Sequence, residues 1–589
     1  MGKKATGPRA TNPRTSKGTV PAPRHVKRSA TKPPAVELSQ GGAIVRMYCT
    51  GLGDCFLIGL PMDHGEVGYV MIDCGVWKGT PGSSEWMRMI MEDIRQTVGS
   101  KGIDILVATH PHWDHLSGFG QAKEIFDDIP VKEVWLPWTE DERDPQARRL
   151  AMQRQLAIQV ALAASVKLRS VAEQARATNL DAEADRTLAA ARDIDELLKF
   201  VGRTPPDDDA ALDEDAALVG AGLRAAAPGF GGGPGLSELA AAPGTDDLLG
   251  YVRARVSRPR YLRPSTKPVP SPAFPGVKIF ALGPPTDPKL LGRDDPSKGP
   301  GKSEVFATLA LAALSAGPAS EQAALLAGAV APDAVDYEEQ RQRRELAFPF
   351  DSRHRIPAEQ AYKDPDLGEF FRAMYGTDAT DPGPPWRRIN TDWLEAVGGL
   401  ALDLDDHINN TSLVLAFELG QGDEAPVLLF PGDAQVGNWL SWHTLDSDGR
   451  FAEDLLRRTV LYKVGHHASH NATLKAKGLS RMARTDRLVA MIPIDETEAH
   501  KPKGSNPQGW DMPYGKLLDE LISRTEGRIM RADTGVPLLA GSKPKGWSSA
   551  KWEQFQRDTL IERRSIVIKG EEQTRPFYIQ YTIRSGATS

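Results

Sequence analysis

The sequence has few cysteines and no long apolar run, and each absence argues against a class of protein. Only three cysteines occur in 589 residues, Cys49, Cys55 and Cys74, so the chain has no disulfide framework. None of them forms a CxxC pair, which argues against a thiolate zinc site. No uncharged apolar stretch reaches the ~18 residues of a membrane span. We therefore expect a soluble, cytoplasmic protein without a membrane span.

Positive charge is scarce in most of the chain and is concentrated at its start. Residues 1–34 contain nine Lys and Arg and no acid, whereas the formal net charge of the whole chain is −6. The remainder therefore carries about −15 (−6 minus +9) and is not a general polyanion-binding surface. We predict that residues 1–40 are a disordered basic tail. A nucleic-acid or membrane-surface arm is the alternative.

Strand and helix patterns alternate after the tail, which predicts an α/β fold. "GYVMIDCG" and "IDILVATH" have the pattern of buried strands, and "SSEWMRMIMEDIRQTVG" between them has helical periodicity. Composition predicts the following division of the chain: a core from 41 to 140, a helical and low-complexity insertion from 141 to 275, a core strand from 276 to 285, an irregular insertion from 286 to 385, and a second core part with a C-terminal extension from 386 to 589.

The stretch "ATHPHWDHLSG", residues 108–118, concentrates four potential metal ligands at the end of a predicted strand. Alternating residues of an extended segment point the same way, so His110 and His112 share one side. Asp114 and His115 follow at the turn into a helix, where they can face a second point nearby. Zinc binds histidine nitrogen and carboxylate oxygen. One loop is therefore predicted to serve two adjacent metal ions.

Two later segments add residues of the same chemistry. "VGHHASH" follows a predicted strand and contains His466, His467 and His470. "LLFPGDAQ" ends a strong apolar strand in a Gly-Asp turn, where Asp433 is a potential bridge between two metals. Six of the twelve histidines lie in "ATHPHWDHLSG" and "VGHHASH". Such clustering favours a metal site over scattered structural histidines.

The order of these motifs resembles the metallo-β-lactamase fold superfamily of metallo-hydrolases. The shared features are HxHxDH after a strand, an earlier strand-end Asp (Asp73), a later Gly-Asp and a later strand-end His. The segments "GDCFLI", "NNTSLVL", "LLFPGDA" and "KVGHHAS" are similar to the hydrolase domain of ComEC-type DNA-uptake proteins and its free-standing relatives. The resemblance covers residues 43–140 and 275–540.

The resemblance implies an αββα sandwich with a metal cleft at one edge and large, mainly helical and low-complexity insertions. It implies two divalent metal ions, zinc first and manganese as the alternative. His110 and His112 would bind the first ion. Asp114, His115 and His466 would bind the second, with Asp433 bridging. His467 competes with His466 for the ligand role or contacts a substrate phosphate, and Asp73 would orient the ligand histidines.

The chain departs from the superfamily pattern at one ligand. Most members have a further His on the strand before Gly-Asp, and the matching segment here is "HINNTSLV". His407 is about one residue out of register with that position, and Asn410 is the other candidate for it. This departure concerns the affinity and occupancy of the first metal site.

Two close divalent ions can place a metal-bound hydroxide for attack on several substrates. The closest resemblance favours a phosphodiesterase or nuclease, with Asp114 and His467 as catalytic residues and a phosphodiester or nucleic acid as substrate. Two alternatives stay open. One is an ester, lactone or lactam hydrolase of the same fold. The other is a metal-bound interaction or sensory module whose insertions bind a protein partner. The sequence leaves the oligomeric state open.

Other polar and aromatic residues near the motifs have two interpretations each. Lys463, Ser469, Asn471 and Lys501 are candidates for binding phosphate, or else belong to ordinary polar surface. Trp439 and Trp442 have helical spacing, which is more typical of a core than of a base-stacking surface.

Overall fold

The computed structural model describes residues 38, 41–177, 181–203, 244–293, 358–375, 407–534, 543–544 and 546–584. Several sequence predictions therefore lie wholly or largely outside the described residues. They are the basic tail at 1–40, the low-complexity part of the first insertion at 204–243, and most of the second insertion at 286–385.

The first sheet has eight strands in the order β13-β14-β1-β2-β3-β4-β5-β6. β3, β4, β5 and β6 run parallel to one another, whereas the pairs from β13 to β3 are antiparallel. Its strands are β1 (Ala43–Tyr48), β2 (Cys55–Pro61), β3 (Val67–Cys74), β4 (Ile103–Val107), β5 (Val131–Pro137), β6 (Arg260–Leu262), β13 (Thr559–Ile568) and β14 (Glu571–Ile583).

The second sheet has six strands in the order β12-β11-β10-β9-β8-β7. β9 to β12 are parallel, and β7 and β8 complete the sheet as antiparallel strands. The strands are β7 (Val277–Gly283), β8 (Val414–Leu419), β9 (Val427–Phe430), β10 (Thr459–Lys463), β11 (Val489–Ile492) and β12 (Ile529–Arg531).

Helices lie on the outer faces of both sheets, in the insertions and near the C-terminal strands. They are α1 (Ser83–Val98), α2 (Trp113–Gln121), α3 (Lys123–Asp127), α4 (Pro145–Ala177), α5 (Asp181–Phe200), α6 (Thr245–Arg253), α7 (Pro288–Leu291), α8 (Ala358–Lys363), α9 (Gly368–Tyr375), α10 (Val436–Trp442), α11 (Arg450–Arg457), α12 (Glu496–Ala499), α13 (Gly515–Thr525) and α14 (Ser549–Asp558). One apolar cluster lies between the two sheets, and another lies under the helices on each outer face. The predicted αββα sandwich with insertions is confirmed.

The layering explains why the strands are apolar along their whole length. In β2, Phe56 and Ile58 join the cluster between the sheets, whereas Cys55 and Leu57 join the cluster beneath the outer helices. Successive side chains of a strand point to opposite faces, and both faces are covered here. The sequence of such a strand therefore reads as a continuous hydrophobic run.

The helical region after the first core part is a hairpin of two long helices, α4 and α5. The two helices share an apolar cluster that also includes Ile408, which precedes β8. The hairpin therefore packs against the core near the start of that strand. Part of the region assigned to the insertion from its sequence belongs to the sandwich, because α6 packs on the outer face of the first sheet and β6 pairs with β5.

Two further points concern hydrophobic residues. Trp439 and Trp442 in α10 are fully buried beside the second sheet, which agrees with core packing and leaves no stacking surface. Within the described ranges, no helix combines the length and apolar character needed to cross a bilayer.

Candidate metal centre

The candidate metal ligands lie where strands of both sheets end at one edge of the sandwich. β4 leads to His110 and β3 ends at Cys74, directly after Asp73. From the second sheet, β9 leads to Asp433 and β10 leads to His467. The carboxyl ends of parallel strands meet at one edge of a sheet, and such edges are common ligand sites. The two sheets thus bring together residues from distant parts of the chain.

Four side chains form a buried cluster that we call the Asp/His cluster: Asp114, His115, Asp433 and His467. Each offers one ligand atom, and these atoms all lie within 4.8 Å of one another. Asp114 Oδ2 lies 3.0 Å from His467 Nε2, and Asp433 Oδ2 lies 3.2 Å from His115 Nε2. Two ligands at bonds of about 2.0–2.2 Å on a tetrahedral ion lie roughly 3.3 Å apart. The spacing of the donors fits one such ion.

One atom of the cluster has no hydrogen-bond partner among the described residues. Asp114 Oδ1 is buried without one, although its neighbour Oδ2 contacts His467. A buried carboxylate oxygen without a partner is costly in a folded protein and calls for an explanation. A bound cation would supply the missing interaction.

The two histidines of the cluster are held by their other ring nitrogens. His115 Nδ1 lies 2.8 Å from Asp73 Oδ2, and His467 Nδ1 lies 2.5 Å from the carbonyl oxygen of Pro493. The carboxylate or carbonyl oxygen accepts a hydrogen bond from the Nδ1–H group, which leaves Nε2 as the ligand atom. Asp73 also accepts hydrogen bonds from Thr109, from its backbone N and from its hydroxyl. Asp73 thus makes the contact that the predicted orienting role requires.

Unusual backbone conformations aim these residues into the cleft. Asp73, His466 and His467 have φ values of 55°, 41° and 50°. Residues other than glycine rarely adopt positive φ, and each such residue costs of order 1–3 kcal/mol. The turn at 466–468 is anchored by the His466 backbone N, which donates to Asp433 Oδ1 at 2.9 Å. Such strain is typical of functional sites.

His110 and His112 form a second group beside the cluster. His110 Nε2 lies 3.2 Å from His112 Nδ1, which again fits two ligands of one ion. His110 Nδ1 contacts the hydroxyls of Thr109 at 3.0 Å and Ser412 at 3.2 Å. Ser412 is at the end of the segment where a further histidine was sought, and it also accepts a hydrogen bond from the Asp433 backbone N. This side of the cleft therefore has fewer ligand atoms.

The pKa values differ between the two groups of histidines. Burial lowers the pKa of His110 and His112, that of His112 to about 3, so both are neutral and able to bind a metal. Burial also lowers the pKa of His115 and His467, but the carboxylates around them outweigh it and raise both values. Protons on these two histidines therefore occupy the place of a cation.

The carboxylates of the cluster are ionised. Burial raises the pKa of Asp114, but His115 and the hydrogen bond from His467 outweigh it and lower the pKa to about 2. Burial likewise raises the pKa of Asp433, but Lys463 and His115 hold it well below its usual value. Both groups can therefore act as anionic ligands at neutral pH.

Lys463 is fully engaged inside the protein. Its Nζ donates to Asp433 Oδ1 at 2.9 Å and to the Gly432 carbonyl at 2.8 Å, and it pairs with Asp54 Oδ2 at 2.5 Å. An ammonium group has three donors, and all three are used. The prediction that Lys463 binds a substrate phosphate is wrong, because the ammonium is a buried counter-ion. Asp433 Oδ1 is occupied by Lys463 and His466 N, so Oδ2 is the oxygen that faces the cluster.

Three predicted ligand residues are not members of the Asp/His cluster. The Nδ1 of His466 lies 3.0 Å from the Ser469 hydroxyl, and the structure places His467 rather than His466 in the Asp/His cluster. His407 is exposed and lies near Gly292. Asn410 is buried, but its amide donates to the backbone carbonyls of Leu291 and Arg293. The structure does not bring His407 or Asn410 to the cluster.

The family comparison agrees with this geometry. Residues 50–241 match the Metallo-beta-lactamase superfamily. The match contains His110, His112, Asp114 and His115, and it ends before Asp433 and His467. Members of this superfamily are mostly hydrolases, and the matched region supplies two of the four residues of the buried Asp/His cluster, which is able to hold metal. No curated protein matches the chain. The closer likeness to ComEC-type domains stays a prediction.

The sequence analysis missed two polar residues of the candidate metal centre. Asp54 lies with Asp73 and His115 in a second group of potential ligands, and Ser412 contacts His110. Both were part of quoted motifs, "GDCFLI" and "NNTSLVL". A Gly-Asp pair directly before a buried strand was the available signal for Asp54. A serine hydroxyl gives no such signal, because serine is common in turns.

Proposed function

We propose that this protein is a metal-dependent hydrolase with two divalent ions, zinc first and manganese as the alternative, and that its substrates are phosphodiesters. One observation carries the proposal: four side chains from three strand ends, one in the first sheet and two in the second, converge in the buried Asp/His cluster. His110 and His112 lie beside it with two ring nitrogens facing each other. A purely structural core would not collect four buried ionisable side chains, one of them, His467, at a strained backbone position.

The residues have separate tasks in this proposal. Asp114, His115, Asp433 and His467 would hold one ion, with Asp433 contributing its Oδ2. His110 and His112 would hold the other. When bound, the ions would lower the pKa of a water molecule and offset negative charge on the substrate oxygens. Asp114 is ionised, and its Oδ1 has no partner among the described residues, so Oδ1 would contact the bound ion and the carboxylate would orient the attacking water beside it.

Metal content is the first test. The purified protein would be analysed by mass spectrometry beside Asp433→Ala, with Asp519→Ala as a control because Asp519 is exposed on α13. We expect about two ions per chain in the wild type and the control, and a sharp decrease in Asp433→Ala. A wild-type protein that holds no metal after reconstitution would contradict the proposal and favour an interaction module.

Substrate choice is the second test. Hydrolysis of bis(p-nitrophenyl) phosphate would be compared with hydrolysis of p-nitrophenyl acetate and of a chromogenic lactam. We expect faster cleavage of the phosphodiester, with loss of the activity in Asp433→Ala. Faster cleavage of the acetate or the lactam would favour the alternative hydrolase class. Cytoplasmic location and a protein partner for the insertions stay predictions.

A further inference from the structure

The metal cleft is covered by aromatic side chains from segments that are far apart in sequence. Phe200 is the last residue of α5, Trp77 follows β3, and Trp510 follows α12. The Phe200 ring centroid lies 4.6 Å from that of Trp77 and 5.5 Å from that of Trp510, and the two tryptophans are 4.9 Å apart. We call these three residues the aromatic roof.

The roof touches one predicted ligand, His112, directly. The Phe200 ring centroid lies 5.4 Å from that of His112, with the two ring planes tilted by 40°. Two residues later, Gly202 has a φ of +73°, and a Cβ built there would lie 2.3 Å from the Trp113 ring. The end of the helical hairpin is therefore fitted against the two residues that precede Asp114.

A polar contact links the hairpin to the loop that carries Trp510. Asp193 in α5 accepts hydrogen bonds from Ser505, from its backbone N at 2.5 Å and from its hydroxyl at 2.7 Å. In the same loop, the Lys503 ammonium lies 5.0 Å from the Trp510 ring and 5.5 Å from the Trp77 ring. It also pairs with Glu498 at 3.1 Å. These contacts hold the loop that carries Trp510 against α5 and against Trp77.

The roof leaves little access to the metal ligands. Phe200 is 7% exposed and Trp77 3%, and the ligand residues His112, against Phe200, and Asp114 are 1% and 2% exposed. A DNA duplex is a wide rod whose backbone phosphates lie on its surface, so it cannot approach a cluster enclosed in this way. A small ester needs a much smaller opening.

We propose that the aromatic roof, and Phe200 above all, determines substrate size and restricts the enzyme to small phosphodiesters. This inference rests on the proposed function. It gives the helical hairpin a role in specificity, because the hairpin contributes a residue that contacts His112. Truncation of Phe200 should open the cleft without removing a ligand.

The test compares Phe200→Ala and Phe200→Leu with Leu188→Ala, a control on the same helix that packs in a separate small apolar cluster. The first measurement is the rate at which a colorimetric chelator removes bound zinc, which does not depend on activity. We expect faster removal from Phe200→Ala, an intermediate rate for Phe200→Leu and the wild-type rate for Leu188→Ala. Equal rates in all four proteins, with zinc content intact, would overturn the inference.

The second measurement is the ratio of kcat/KM for a single-stranded oligonucleotide to kcat/KM for bis(p-nitrophenyl) phosphate. We expect Phe200→Ala to raise this ratio by about 10-fold or more, the scale of discrimination by a hydrophobic contact. An unchanged ratio would also overturn the inference. If Phe200→Ala does not fold, Ser505→Ala tests the same point, because it weakens the link to Asp193 at an exposed residue.

The two proposals fail in different ways. A wild-type protein that holds no zinc, or holds zinc but cleaves no phosphodiester, contradicts the proposed function. A wild-type protein that holds zinc and cleaves phosphodiesters, with chelator rates and substrate ratios unaffected by Phe200→Ala and Ser505→Ala, contradicts only the role of the roof.

Discussion

The two sides of the metal cleft differ in the number of ligand atoms that they offer. The Asp/His cluster offers four ligand atoms within 4.8 Å of one another. The other side offers His110 and His112, and the hydroxyl of Ser412 is the nearby group where a further histidine was sought. A site with more and better-placed ligands binds its ion more tightly. The comparison teaches that an HxHxDH loop does not by itself make two equal sites, because the later strands decide how each is completed.

The largest effect is expected from His115→Ala, which removes a ligand and also the contact with Asp73. We expect the loss of about one ion per chain, because a four-ligand site loses a member that cannot be replaced. Mass spectrometry of the purified variant would measure it, with the exposed His500 changed to Ala as the control. An unchanged metal content would contradict the assignment of the stronger site to the Asp/His cluster.

A second test separates two adjacent histidines. His467 Nε2 faces Asp114, whereas His466 contacts Ser469, so His467→Ala should lose metal and His466→Ala should retain most of it. Zinc titration with a competing chelator would give both affinities. The reverse order would restore His466 as the ligand, as the resemblance implied.

A third test uses the proton. The carboxylates around His115 and His467 raise the pKa of both rings, so a metal must compete with protons for these two ligands. We therefore expect zinc binding to the cluster to release protons and to weaken as the pH falls. Calorimetry in buffers of different ionisation enthalpy would count the protons. Binding without proton release would contradict the raised pKa values.

The smallest effect is expected on the other side of the cleft. Ser412→Ala leaves the buried Asp433 backbone N without its acceptor, which should lower the free energy of unfolding by about 1–3 kcal/mol. Urea denaturation would measure it, and Ser447→Ala, at an exposed serine, should have no comparable effect. Metal content should stay near that of the wild type. A loss as large as that of His115→Ala would make Ser412 an essential part of the site.

Local patterns predicted buried strands and a metal-binding loop. Apolar runs gave β3 and β4, and the spacing of His110, His112, Asp114 and His115 within one loop indicated the metal cleft. Such signals are short-range, so one segment is enough to reveal them. The sandwich itself followed from the order of motifs, because the resemblance supplied the layer arrangement.

The remaining errors share one physical cause, because the burial and the orientation of a side chain depend on segments that are distant in sequence. Lys463 looked available for phosphate, but it lies between Asp54 and Asp433. The choice between His466 and His467 depends on positive φ values that no pattern announces. Phe200 belongs to a helix whose sequence gives no sign of the metal cleft beside it. These contacts exist only once both sheets are assembled.

The contact of His115 with Asp73 on one side and Asp433 on the other has a consequence for the order of folding. Asp73 belongs to the first sheet and Asp433 follows a strand of the second, so the centre exists only after the two sheets have docked. Closing the long chain segment between Asp73 and Asp433 is entropically costly and comes late in folding. Tight metal binding would therefore report the finished fold. A chain that ends before Asp433 should bind zinc only weakly, although it keeps the HxHxDH loop.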